Sequence, residues 1–95
     1  MTVSLLVMDK YLKALRSRSK TLAPALHLGK NGLSEPVITE IKKLVRRDKL
    51  IKIRLNAALT TAKPAKEIAK EIAEKTDALL VDCIGHVLAL AQKPK

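Results

Sequence analysis

The sequence predicts a single α/β domain with the order helix, strand, helix, strand, helix, strand, strand. Three observations carry that expectation. Apolar residues recur at helical spacing in two segments that open near Ser34 and Pro64. Around them lie short runs with the alternation or β-rich composition of strands, notably Leu50–Asn56 and Ala78–Ala91. The chain has 95 residues, 47% hydrophobic and 29% charged, which suits one globular domain and not a disordered chain. Strands joined by helices favour parallel pairing, and two strands meeting at a glycine favour a hairpin. A four-stranded mixed sheet packed with helices follows.

The elements can be justified in order. A first helix is expected over Asp9–Lys20, with Tyr11, Leu12 and Leu15 on one side and Lys10, Lys13, Arg16 and Arg18 around the rest. Pro24 interrupts it, and Ala25–Leu28 is short enough for a strand. Ser34 can cap the second helix, Glu35 suits the positive end of its dipole, and Pro36 suits the first turn. Val37, Ile38, Ile41, Leu44 and Val45 form its apolar side, while Lys42, Lys43, Arg46 and Arg47 share the opposite face with Thr39. In Leu50–Asn56, Ile51, Ile53 and Leu55 alternate with Lys52, Arg54 and Asn56, the pattern of a half-buried strand. Thr60–Lys63 reads as a loop, and Pro64 opens a third helix whose stripe is Ala65, Ile68, Ala69, Ile72 and Ala73. Its small alanines permit close approach to a sheet. Asp77 and Asp82 end that helix and solvate the next strand, and Ala78–Ile84 and His86–Ala91 meet at Gly85.

Composition excludes several function classes. The net charge is +10, and residues 1–54 carry thirteen Lys or Arg against four Asp or Glu. Such an excess points to a polyanionic partner. Tyr11 is the sole aromatic residue, which removes the usual platforms of stacked aromatics. Cys83 stands alone, so no disulfide framework or Cys-rich zinc site is available, and it is expected to be a buried, inert thiol. His27 and His86 are too few for a metal site, and Cys83 with His86 lacks a third residue to orient a nucleophile. Neither metal, cofactor, small-molecule substrate nor catalysis is expected. No apolar stretch approaches the ~18–20 residues of a membrane span. The opening Met1–Met8 has neither a basic segment before its apolar residues nor a cleavage site, so a cytoplasmic location is expected. Docking of the basic second helix on a membrane is disfavoured because its apolar stripe is needed for the core.

Gly29-Lys30-Asn31-Gly32 lies between a strand and a helix. Two glycines let the backbone approach a ligand closely, nearby N–H groups can point at an anion, and Lys30 adds a full charge. Those are the requirements of a nucleic-acid phosphate. The pattern is common in ordinary turns, but here Lys42, Lys43, Arg46, Arg47, Lys52 and Arg54 follow within one helix and one strand. The loop is expected to be exposed, so substitutions at Lys30 or Gly32 should leave the fold intact.

The series Leu28-Gly29-Lys30-Asn31-Gly32-Leu33-Ser34, Val37-Ile38, Glu40-Ile41 and Leu50-Ile51-Lys52-Ile53 resembles the CRM domain. Glu67-Ile68-Ala69, Glu71-Ile72-Ala73 and Ile84-Gly85 continue the likeness. That family, named for chloroplast RNA splicing and ribosome maturation, includes stand-alone bacterial YhbY-like proteins. The resemblance implies a domain over residues 8–92, preceded by an N-terminal extension over 1–7. It implies a fold similar to the C-terminal domain of translation initiation factor three, and a role on large-subunit ribosomal precursors. It maps the family's RNA-contacting loop to Gly29, Lys30, Asn31 and Gly32, with Lys13, Arg16 and Arg18 as contributors by charge. Where the family's last strand commonly ends Leu-Tyr-Arg, this chain has Leu90-Ala91-Gln92.

The resulting expectation is a monomeric protein that binds structured RNA, ribosomal RNA or a pre-ribosomal particle, through phosphate contacts that follow shape more than sequence. The alternative is a general nucleic-acid module for DNA or tRNA. A duplex-DNA reader should carry base-reading side chains at the start of its recognition helix, whereas Ser34-Glu35-Pro36 opens this one.

Overall fold

The chain forms α1 (Leu5–Ser19), β1 (Leu26–Leu28), α2 (Glu35–Asp48), β2 (Leu50–Leu55), α3 (Ala57–Ala62), α4 (Ala65–Thr76), β3 (Leu79–Ile84) and β4 (Val87–Ala91). The computed structural model describes residues 5–29 and 32–93, with side chains from residue 9 onward. Lys30 and Asn31 of the glycine loop, and residues 1–4 of the expected N-terminal extension, lie outside the described residues. Residues 5–7 are helical, so α1 starts ahead of the expected Asp9.

Every expected element is present, together with one that the sequence does not announce. The segment read as a loop at Thr60–Lys63 is mostly α3. The Asn56 carboxamide accepts the Ala58 N–H at 2.8 Å, which caps the helix. The Thr60 and Thr61 hydroxyls donate to the carbonyls of Ala57 and Ala58 at 2.9 and 2.7 Å, closing its last turn. Threonine's weak helix preference conceals it. A second correction concerns Ser34. It occupies the N-cap of α2 with extended φ/ψ, yet its side chain makes no capping hydrogen bond. Its carbonyl instead accepts the Ile38 N–H at 2.9 Å.

The sheet is mixed, with strand order β1-β2-β4-β3. β1 and β2 pair in parallel, while β4 pairs antiparallel with both β2 and β3. Strands β2 and β3, although joined through helices, run in the same direction without pairing, because β4 lies between them. Burial explains the insertion. Leu88, Ala89, Leu90 and Ala91 are buried on both faces, the pattern of a central strand, whereas most of β3 is half-buried at the edge.

Alternation along the strands divides the core between two faces. Ile51, Ile53, Leu55, Leu88 and Leu90 pack with Ile41, Leu44 and Val45 of α2 and Ile68, Ala69, Ile72 and Ala73 of α4. Leu50, Val81, Ala89 and Ala91 face the other way, against Leu15, Tyr11 and Leu12 of α1. Thus α2 and α4 cover one face and α1 part of the other. Arg16 fastens α1 to the edge strand, its Nε donating to the Val81 carbonyl at 3.0 Å, and Tyr11 donates to the Gln92 carbonyl at 3.2 Å.

The two ends of the sheet differ. At one end lie the C-terminus of β1, the glycine loop and the Gly85–His86 turn, linked by bonds from Leu55 N–H to the His86 carbonyl (2.7 Å) and Asn56 N–H to the Leu28 carbonyl (2.9 Å). At the other end Gln92 N–H meets the Lys49 carbonyl at 2.9 Å and Lys93 pairs with Asp77 at 2.8 Å.

Candidate nucleic-acid interface

The glycine loop joins the end of β1 to the start of α2. Its base is closed by a hydrogen bond from Gly32 N–H to the Gly29 carbonyl at 3.1 Å. The two glycines serve different purposes. A Cβ on Gly29 would meet nothing within 4 Å, so that position is open to a ligand. Gly32 has φ +75°, and its Cβ would lie 3.7 Å from Leu59 Cδ2 of α3. Gly32 is therefore half-buried and conformationally required, which overturns the expectation that it could be substituted freely. The start of α2 adds fewer donors than its dipole suggests. Pro36 has no N–H and Glu35 sets a carboxylate in the first turn.

Lys42, Lys43, Arg46 and Arg47 are all exposed on α2, opposite its buried Ile41, Leu44 and Val45. They follow Glu35 by seven to twelve residues, which places them about 10–18 Å along the helix from its start. The structure thus separates two groups that sequence proximity had joined. Arg46 and Arg47 belong to the opposite end of the molecule from the glycine loop. Arg47 also engages its neighbour Asp48 through two bonds of 2.9 and 3.0 Å. That pairing holds the Asp48 carboxyl below its usual range. Lys42, Lys43 and Arg46 enter no ion pair among the described residues.

Lys13, Arg16 and Arg18 of α1 lie across the sheet from α2. Lys13 is 3.6 Å from Asp9, one turn earlier, and Arg16 is engaged on Val81. Arg18 lines a crevice with Thr21, Leu22, Asp48 and Leu50. A rigid duplex lying on the outer face of α2 cannot also reach these three.

Sequence reasoning counted Lys52 and Arg54 with the cations of α2, but the structure sets them on a second basic surface. Lys52 and Arg54 are not on the buried side of β2 but on the α1 side, where α1 leaves the sheet uncovered. In register, His27, Arg54, Val87 and Ile84 form one row across all four strands. The alternation in Leu50–Asn56 carried this signal, but only the packing of α1 reveals that the row is open.

Cys83 is half-buried on the α4 side of the sheet, less enclosed than expected. Burial, reinforced by the neighbouring Asp82 carboxylate, raises its thiol pKa, the opposite of nucleophile activation. Among the described residues no cluster of three metal-ligating side chains occurs, and no helix is long and apolar enough to cross a membrane. Ala91, where the family commonly carries an aromatic residue, is fully buried beneath α1. The absent aromatic is therefore a core substitution, while the half-buried Gln92 stands where the family commonly carries a cation.

These features define a small α/β domain with a glycine loop at one end of a mixed sheet and cations on both sides. Residues 8–91 match the model of the CRS1 / YhbY (CRM) domain, and the chain belongs to that family. A probable RNA-binding protein of Methanocaldococcus jannaschii is 35% identical over 81 residues, 85% of this chain and 60% of that protein. The chain thus spans less than two thirds of that archaeal relative. An RNA-binding protein of Haemophilus influenzae is also 35% identical over 81 residues, covering 80% of its length. Among solved structures, a hypothetical protein of Staphylococcus aureus described as a candidate RNA-binding protein superposes with a TM-score of 0.73 at 28% identity. That match covers 90% of this chain and 88% of the other.

Proposed function

We propose that this protein binds structured RNA, in assembly of the large ribosomal subunit or maturation of its RNA, and that it works by binding alone. The observation that carries the reading is the open approach at Gly29, with the exposed cations of α2 further along the same side of the sheet, in a chain whose relatives are named RNA-binding proteins. Gly29 lets a phosphate come close to the backbone, and Lys30 supplies charge at the loop. Lys42 and Lys43 extend the footprint along α2. Because such interactions go to phosphates, shape should dominate sequence in selection.

A salt-dependent titration on a structured large-subunit ribosomal RNA fragment, with duplex DNA as competitor, tests this. Lys30→Ala should reduce the magnitude of the salt slope by about 0.7–0.9, the signature of a single phosphate neutralised by that lysine. Gly29→Asp should weaken binding further without lowering thermal stability, since its side chain enters open space. If folded Gly29→Asp and Lys30→Ala both bind as wild type does, the loop is only a turn. If duplex DNA competes as well as RNA, the protein is a general nucleic-acid module.

A further inference from the structure

We propose that the uncovered part of the sheet, beside the C-terminal end of α1, takes a single-stranded stretch of the bound RNA. This rests on the RNA-binding reading and adds a surface distinct from the glycine loop and α2. Helix α1 ends at Ser19, so the row His27, Arg54, Val87 and Ile84 has no helix over it. Lys52 lies one step further along β2, and Lys20, just past α1, shares a crevice with Lys52, Asp82, Ile84 and Val87. Ile84 is 67% exposed, and with Leu22 it is one of two exposed large apolar side chains among the described residues.

Two properties select the occupant. The first is charge. Lys20, Lys52 and Arg54 enter no ion pair among the described residues, and the Asp82 carboxylate, which shares the crevice of Lys20 and Lys52, accepts the Cys83 N–H at 2.9 Å. Three cations against one carboxylate leave this face net positive, which fits a polyanion. The second is the apolar half of the row. A duplex presents phosphates and hydroxyls and keeps its base faces stacked, which would leave Ile84 and Val87 against polar surface. A single strand exposes base faces that aliphatic side chains and the Arg54 guanidinium plane can cover, even without an aromatic platform. Position completes the assignment. β1 runs from His27 into Gly29, so a strand on this face continues onto the glycine loop. The loop then sits where duplex passes into single strand.

The test compares a blunt RNA hairpin with the same hairpin carrying an eight-uridine tail, titrated with the full chain. Wild type should bind the tailed RNA more tightly. Arg54→Ala and Ile84→Ser, both at exposed positions, should each weaken the tailed RNA by at least about fivefold while leaving the blunt hairpin unchanged. Gly29→Asp should weaken both. Circular dichroism melts establish that each variant is folded. If the sheet variants bind both RNAs as wild type does while Gly29→Asp is impaired, this face carries no RNA and the RNA-binding reading survives. Equal losses on both hairpins would place duplex on the face and overturn the single-strand assignment. If Ile84→Ser abolishes self-association seen in sedimentation without altering RNA binding, the face is a protein interface. Failure of wild type to bind either RNA would sink the parent reading itself.

Discussion

Gly29 and Gly32 bracket one loop yet answer different physical demands. At Gly32, φ of +75° lies where a Cβ collides with the backbone, so Gly32→Ala should cost about 1–2 kcal/mol in a urea or thermal melt. Gly29→Ala meets open space and should leave the melt unchanged. Lys49, the residue after α2, is a second strained position, with φ 70° and ψ −32°. Its N–H still donates to the Val45 carbonyl, so the strain is held by the helix end. Lys49→Gly should therefore stabilise the domain by about 1 kcal/mol, and an unchanged or lowered melting temperature would contradict the strain argument. None of these backbone angles is written in residue identity alone. Glycine permits a positive φ without requiring it, and lysine gives no hint of one.

At the scale of elements, the amphipathic α2 is the most legible feature. Ile41, Leu44 and Val45 are buried and Lys42, Lys43, Arg46 and Arg47 exposed, as 3.6-residue periodicity requires. Helix α3 is not legible, because its stability depends on one cap and on Leu59 packing against the core. Asn56→Ala should cost about 1 kcal/mol and should loosen α3 selectively in amide exchange. Glu71 of α4 holds the helix to its preceding turn. Lys75 at 3.1 Å and Lys63 at 3.5 Å keep its carboxyl below the usual glutamate range. A depressed carboxylate stabilises the fold above its unfolded pKa, and that contribution disappears as pH falls through the folded value. Wild type should thus lose stability below about pH 4, and Glu71→Gln should flatten that part of the acid limb. An identical acid limb in the variant would show the pair to be inconsequential, as many exposed ion pairs are.

For the whole molecule, the sheet is a partition. It puts the cations of α2 on one side and Lys13, Arg16, Arg18, Lys52 and Arg54 on the other. A net charge of +10 therefore does not describe one basic patch. Replacing Lys42 and Lys43 together with alanine should reduce the salt slope on a structured RNA by about 1.4–1.8, or 0.7–0.9 for each phosphate no longer neutralised. Replacing Lys13 and Arg18 should reduce it by less, since they lie across the sheet from α2. Equal reductions would mean that structured RNA also follows the outer face of α1.

Periodicity and punctuation by themselves determined the order of the helices and strands apart from α3, the mixed character of the sheet, the position of the glycine loop between β1 and α2, and the basic face of α2. Those features rest on local patterns, in which each residue's neighbours three, four or two positions away decide its side. The tertiary structure alone decided that β4 enters between β2 and β3. It also decided that α1 covers only part of its face, and that the α2 cations extend to the end remote from the loop. These are questions of which surfaces bury one another over long sequence separations. The hydrophobic effect that settles them is non-directional, and a chain's local pattern marks a face as apolar without naming what will cover it.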